Sequence, residues 1–246
     1  MRAQQPSVSV WPDAPSLAEA VAERLLSSLL HAQETRGEAS VALTGGGIGI
    51  AVLDAVRLSL DRESVDWARV DVWWGDERYV SHTDADRNEL QARTALLDHV
   101  GVTASRVHPL PAADGPDGSD VDRAAARYAA ELGAPEFDVL LLGMGPEGHT
   151  ASIFPATPAV RDARTVFAVR DCPKPPPTRI SLGFAALNAA REAWLIVSGA
   201  EKAPAVAAAI AGADPWDVPA AGVRGRERTC WLLDAAAAQS LAPDPT

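Results

Sequence analysis

The chain has 246 residues, of which 47% are hydrophobic and 22% charged, enough apolar material for one large domain or two small ones. A formal net charge of −11 argues against a nucleic-acid or anionic-membrane surface, so any anionic ligand has to be gripped by a local basic pocket. No apolar run approaches the length of a membrane span, and the opening MRAQQPSVSVWPDAPS lacks the apolar stretch of a signal peptide, so a cytoplasmic protein is expected.

Short β-branched or apolar runs alternate with longer segments of helical period, the pattern of an α/β protein with a mainly parallel sheet. In chain order the predicted strands are SVSVW, SVALT, RVDVWW, FDVLLLG, TVFAV, TRISLGF, AWLIVSG and TCWLLD. The predicted helices run from Leu17 to His31, Ile48 to Leu60, Asn88 to His99, Asp120 to Leu132 and Pro204 to Ala211. PAADGPDGSD reads as a surface loop and DCPKPPPT as a stiff connection; neither is long enough to be a convincing linker, so one continuous domain over 1–246 is the simpler reading. Cys172 and Cys230 are far apart and form no C-x-x-C pair, so neither a disulfide framework nor a thiolate metal cluster is suggested. Almost every basic residue is arginine. Lys174 and Lys202 are the only lysines, and Lys202 stands out against that bias.

In open parallel sheets ligands bind beyond the carboxyl ends of the strands, which directs attention to three loops. After SVALT come Gly45, Gly46 and Gly47, where the backbone can approach a ligand and a helix start can offer free N–H groups to a phosphate. The pattern matches neither the Walker lysine motif nor a full G-x-G-x-x-G, and a tight turn without a ligand fits this loop equally well. After RVDVWW come Asp76, Glu77 and Arg78, with Asn88 at the start of the next helical run; taken alone, these are a solvated charged turn. After FDVLLLG comes GMGPEGH, a flexible exit that ends in His149.

Thr150, Ala151 and Ser152 can open a helix, which places His149 near a helix amino end and favours a neutral imidazole able to accept a proton. Glu147 acts in the opposite sense and can fix the tautomer, so the pair reads as a base and its orienter. The other four histidines, His31, His82, His99 and His108, read as surface or packing residues. Further on, Arg179 opens a strand and Lys202 falls in the first turn of a helical segment; each alone is an ordinary surface charge.

In combination, the glycine loop at Thr44 to Gly47, WWGDERYV, LLLGMGPEGHTASIFP, RISLGFAALNAA and VSGAEKA resemble the 6-phosphogluconolactonases, in that family's order and over essentially the whole chain. Their superfamily also includes the glucosamine-6-phosphate deaminases. The resemblance implies a modified Rossmann-like fold of the NagB/RpiA/CoA-transferase-like type, with helices on both faces of the sheet. It implies hydrolysis of 6-phospho-D-glucono-1,5-lactone to 6-phosphogluconate, in the oxidative pentose phosphate pathway, with no metal or organic cofactor. By the same resemblance His149 is the base that activates water, Arg78 approaches anionic or developing charge, and Asp76 helps to arrange the site. Thr44, Gly45 and Gly46 with Arg179 and Lys202 hold the phosphate, and Asn88 has a supporting role.

The chain departs from the family pattern in three places. Glu147 stands where aspartate is usual, Gly47, Ile48 and Gly49 stand where a hydroxyl residue and a proline often follow the two glycines, and Arg87 replaces a serine before Asn88. A δ-lactone is an activated ester whose hydrolysis needs a positioned base and oxyanion stabilisation, and the absence of a G-x-S-x-G elbow agrees with attack by water.

Two rival functions remain open on the sequence. The related deaminases carry a further acidic residue after the histidine, where this chain has Ser152, Ile153, Phe154 and Pro155. A non-enzymatic sugar-phosphate sensor needs a DNA-binding segment, for which the first strand leaves no room. A small-molecule sugar phosphate is therefore the expected partner, with no nucleic acid and no membrane. The oligomeric state is open, and a monomer is allowed.

Overall fold

The computed structural model describes residues 6–134 and 136–242. Its strands are β1 (Ser7–Trp11), β2 (Ala39–Leu43), β3 (Val70–Trp74), β4 (Asp76–Arg78), β5 (Val139–Leu142), β6 (Val166–Val169), β7 (Arg179–Leu182), β8 (Glu192–Val197) and β9 (Arg228–Asp234). The helices are α1 (Ala14–Arg36), α2 (Gly47–Leu58), α3 (Asn88–Ala95), α4 (Val121–Leu132), α5 (Phe184–Leu187), α6 (Ala203–Ile210) and α7 (Ala235–Ala238). All eight predicted strands and all five predicted helices are present, with ends shifted by a few residues.

A six-stranded sheet runs in the order β1-β9-β8-β5-β2-β3, and every pairing in it is parallel. Every residue of β5 and all but the first of β8 and β9 are buried. Successive strand residues point to opposite faces, so continuous burial means that both faces are covered. On one part of the sheet Trp73 of β3 meets Tyr128 of α4 edge-on at 6.0 Å and stacks on His108 at 3.8 Å.

Local chemistry ends the helices where the sequence suggests. Asp13 accepts from the backbone N–H of Ser16 at 2.9 Å to start α1, and Gly37, at φ 84°, closes it. Asp120 accepts from the N–H of Arg123 at 3.0 Å to start α4.

A second sheet, three-stranded and antiparallel in the order β4-β7-β6, was not expected from the sequence. Gly75 joins the two sheets. Its N–H donates to Leu43 O at the end of β2 (3.0 Å), and its carbonyl accepts from Leu182 N at the end of β7 (2.9 Å). The segment Asp76–Arg78, read as a solvated charged turn, is thus a strand with Asp76 and Glu77 buried. Burial is tolerated because Glu77 caps α3 from a distance: its carboxylate accepts from the N–H groups of Arg78 (2.8 Å), Asn88 (2.8 Å) and Glu89 (2.9 Å). Burial nevertheless pushes the Glu77 carboxyl up, against the pull of Arg87 and these N–H groups.

Arg87 is 1% exposed and turned inward, donating to Leu110 O at 2.8 Å while leaning on Glu77 at 3.8 Å. It is a structural tie and does not line the cavity described below.

Candidate active site

The carboxyl ends of β2, β3 and β5 and the small sheet enclose a cavity of 260 Å³. Every residue that the sequence reading singled out as a site candidate lines it except Glu147, which sits behind His149. A larger groove of 950 Å³ between α1 and α2 shares Gly47, Ile48 and Lys202 with it, but its other ionisable lining residues, Glu19, Glu23, Asp54 and Asp61, are all acidic and suit no anionic ligand.

The glycine turn opens the site on one side. Gly46, at φ 83°, caps α2 with no side-chain hydrogen bond, so the first N–H groups of that helix are left to the cavity. Gly45 has no room for a side chain, since a Cβ there would lie 1.9 Å from Oδ1 of Asn88. Thr44 accepts through its hydroxyl from Gly143 N at 3.2 Å and ties this turn to the β5 exit.

β4 supplies the floor. Asn88 donates to Asp76 O (2.8 Å) and accepts from Nη1 of Arg78 (2.7 Å), which holds the guanidinium at the cavity wall. Nε of Arg78 is buried with no hydrogen-bond partner among the described residues, a donor left for a ligand. The Asp76 carboxylate accepts from the Ser152 hydroxyl at 2.5 Å and faces Nη1 of Arg179 at 3.9 Å. Arg179 spends Nε and Nη2 on the carbonyls of Pro176, Lys174 and Pro175 at 3.2–3.3 Å, so it shapes the proline-rich connection as well as the cavity.

The β5 exit carries the ionisable ring. Gly145 N–H donates to His149 O (3.1 Å) and Gly148 N–H to Gly145 O (2.9 Å), closing a tight loop. A Cβ on Gly145 would lie 2.1 Å from Nδ1 of His149, so the glycine makes space for the imidazole. Nδ1 lies 3.0 Å from Oε1 of Glu147, and the opposite ring face stacks on Phe154 with centroids 4.5 Å apart.

No helix follows His149. Ala151 takes φ 47°, Ile153 N–H closes a turn onto Thr150 O (2.9 Å), and the Thr150 hydroxyl donates inward to Gly143 O (3.1 Å). The expected helix amino end is therefore missing beside the ring, and other neighbours disfavour its charged form. Burial and then the neighbouring Lys174 ammonium hold the His149 imidazolium down, opposed by Glu147 and Asp76. Glu147 is pulled the other way: partial burial raises its carboxyl, but its own N–H, Lys174 and His149 together bring it below the ordinary value.

Lys174 is the site residue that the sequence reading missed. It projects from the proline-rich connection with Nζ 3.0 Å and 3.1 Å from the two carboxylate oxygens of Glu147 and 3.4 Å from Nδ1 of His149. The available signal was its rarity, as one of two lysines in a chain whose other basic residues are arginines.

Lys202 precedes α6 and lines the cavity, half-buried. Burial lowers its ammonium against the pull of Glu201 and Asp234, with Lys174 adding to the lowering. Among the described residues no cluster of histidine, cysteine, aspartate and glutamate could hold a metal ion, and no helix is long and apolar enough to cross a membrane. Both cysteines are buried and unpaired.

The cavity thus brings four cationic side chains, the free N–H groups at the start of α2 and the His149 imidazole to a common rim. Comparison with known proteins agrees. Residues 12–231 match the family model described as glucosamine-6-phosphate isomerases/6-phosphogluconolactonase. The 6-phosphogluconolactonase of Streptomyces coelicolor is 51% identical, covering 96% of this chain and 95% of its own length. That of Mycobacterium tuberculosis is 50% identical over 96% of this chain and 98% of its own. The solved 6-phosphogluconolactonase of Trypanosoma brucei superposes with a TM-score of 0.81 at 26% identity, covering 96% of this chain and 99% of that one. By the extent of the matched model and the identity to these relatives, the chain belongs to the glucosamine-6-phosphate isomerase/6-phosphogluconolactonase family.

Proposed function

We propose that the protein hydrolyses 6-phospho-D-glucono-1,5-lactone to 6-phospho-D-gluconate, with water activated by His149. The observation that carries this reading is a buried imidazole with Nδ1 3.0 Å from Glu147, its imidazolium disfavoured by burial, in a cavity that Arg78, Lys174, Arg179, Lys202 and the amino terminus of α2 also line. With Nδ1 engaged by Glu147, Nε2 is the nitrogen free to take a proton from water as the water oxygen attacks the lactone carbonyl. The carbonyl oxygen then carries the negative charge, met by the unspent donor of Arg78 or by loop N–H groups. On collapse the C–O bond of the ring breaks, and the imidazolium returns its proton to the departing ring oxygen.

The phosphate lies at the other end, against the amino terminus of α2, Lys202 and Arg179, and fixes the reacting carbon relative to the water. Asp76 acts through Arg179 and Ser152, and Asn88 through Arg78. The buried core spans both sheets, which supports one domain over the chain.

The segment after the histidine favours hydrolysis over deamination: Ser152 is spent on Asp76, Ile153 is fully buried and Phe154 packs on the ring, so this stretch offers no carboxylate. The three activities separate in one comparison. Accelerated loss of the lactone supports hydrolysis, ammonia release from glucosamine 6-phosphate supports deamination, and binding without turnover supports a sensor.

A further inference from the structure

Glu147 and Lys174 both approach the same nitrogen of His149, and they ask opposite things of it. Oε1 of Glu147, at 3.0 Å from Nδ1, is an acceptor and calls for a proton there; the Lys174 ammonium, at 3.4 Å, is a donor and calls for a lone pair. The geometry settles the conflict, because Lys174 reaches both carboxylate oxygens at 3.0 and 3.1 Å, closer than it reaches the ring. Two of its three protons face Glu147, and the third approaches Nδ1 from 3.4 Å, farther than Oε1 of Glu147 at 3.0 Å, which leaves Nδ1 its own proton.

We propose that Lys174 is a positioning residue for the base: it clamps Glu147 and confines His149 to the uncharged tautomer that carries its proton on Nδ1. The assignment rests on the reading of His149 as the base. Without the ammonium, Glu147 alone beside the ring would stabilise the imidazolium, which has no lone pair with which to accept a proton from water. Without Glu147, Lys174 would donate to Nδ1 and move the proton to Nε2, where it would block attack.

The other charged groups around the ring do not replace Lys174. Asp76, on β4, favours the charged ring as Glu147 does. Arg78, Arg179 and Lys202 line the same cavity, but the first two are tied to Asn88 and to backbone carbonyls, and Lys202 is not among the charges that act on the ring. Lys174 is also the member of the group that can move, since its side chain is 39% exposed and springs from a surface connection. An arriving anionic substrate can therefore draw it forward, and Glu147 would then meet the imidazolium formed during attack without a competing charge.

The test is an NMR titration of the imidazole nitrogens in the substrate-free protein, comparing wild type with Lys174→Met and Lys174→Arg, with the His149 signals assigned by their loss in His149→Gln. The expected result is a neutral ring protonated on Nδ1 in the wild type, and a titration midpoint about one pH unit higher in Lys174→Met. Lys174→Arg should restore most of the difference. An unchanged midpoint in Lys174→Met, or a neutral ring protonated on Nε2 in the wild type, overturns the proposal.

Because no substrate is present, these outcomes do not depend on whether the protein hydrolyses a lactone. The kinetic counterpart is a displacement of the acid limb of kcat/KM to higher pH in Lys174→Met. A uniform rise in KM at every pH would instead make Lys174 a phosphate contact and contradict the assignment.

Discussion

Oε1 of Glu147 lies 3.0 Å from Nδ1 of His149, while Asp76, the other carboxylate near the ring, is occupied by Ser152 and faces Arg179. Glu147 is therefore the carboxylate in contact with the imidazole. The pair stands on a loop in which Gly148 takes φ 86° and Gly145 leaves room for the ring, and the consequences for the ring can be measured.

Replacing Glu147 with glutamine removes the charge that favours the imidazolium, so the His149 pKa falls further below its ordinary value. The acid limb of kcat/KM should move to lower pH. At neutral pH kcat should fall roughly tenfold to a hundredfold, because the orienting acceptor is weakened and the imidazolium loses its partner. A pH–rate profile of Glu147→Gln checks both, and the direction is opposite to that expected for Lys174→Met.

Gly145→Ala isolates the space the ring needs. Its Cβ would fall 2.1 Å from Nδ1 and Cε1 of His149 and 2.7 Å from Oε2 of Glu147. These atoms are side-chain ends that can swing away, so the melting temperature should change little, whereas a ring displaced by an ångström should cost about a hundredfold in kcat. Thermal melts and kinetics on the same preparation separate the two effects.

Lys202→Met should raise KM for the phosphorylated lactone roughly tenfold or more, the value of one charge-assisted contact, with kcat little altered. An unphosphorylated gluconolactone should be hydrolysed equally by the two proteins. Equal KM values for the phosphorylated substrate would remove Lys202 from the phosphate site.

Arg87 is expected to matter for stability and not for binding. It is 1% exposed, holds Leu110 O at 2.8 Å, and lies 3.8 Å from a Glu77 carboxylate that is itself buried. Arg87→Ala leaves that carboxylate without its countercharge and should destabilise the fold by about 3 kcal/mol. Denaturant unfolding measures the loss, and KM in the surviving folded protein should stay near the wild-type value.

Much of this architecture is legible in the sequence, because the parallel strands are short apolar runs and the helices keep a 3.6-residue period. What escaped detection has a common cause: partners far apart in the chain. The charges of Asp76, Glu77 and Arg78 signal solvent, yet the strand they form is buried because Glu77 finds the N–H groups of Asn88 and Glu89 at the start of α3. Thr150 and Ser152 are good helix-capping residue types, but their hydroxyls are drawn inward to Gly143 O and Asp76, and a turn forms instead of a helix. Lys174 sits among prolines that say only that the chain is extended. Its partners, Glu147 and His149, lie 27 and 25 residues earlier in the chain.

The central claim is that the imidazole of His149 activates water against a bound phosphorylated lactone. The direct measurement generates 6-phospho-D-glucono-1,5-lactone in situ and follows its decay above the spontaneous rate with wild type and with folded His149→Gln. Wild-type protein should accelerate the decay, and the substitution should reduce kcat by about a hundredfold or more with KM little changed. Wild-type turnover in His149→Gln, or no acceleration by the wild-type protein, would contradict the account.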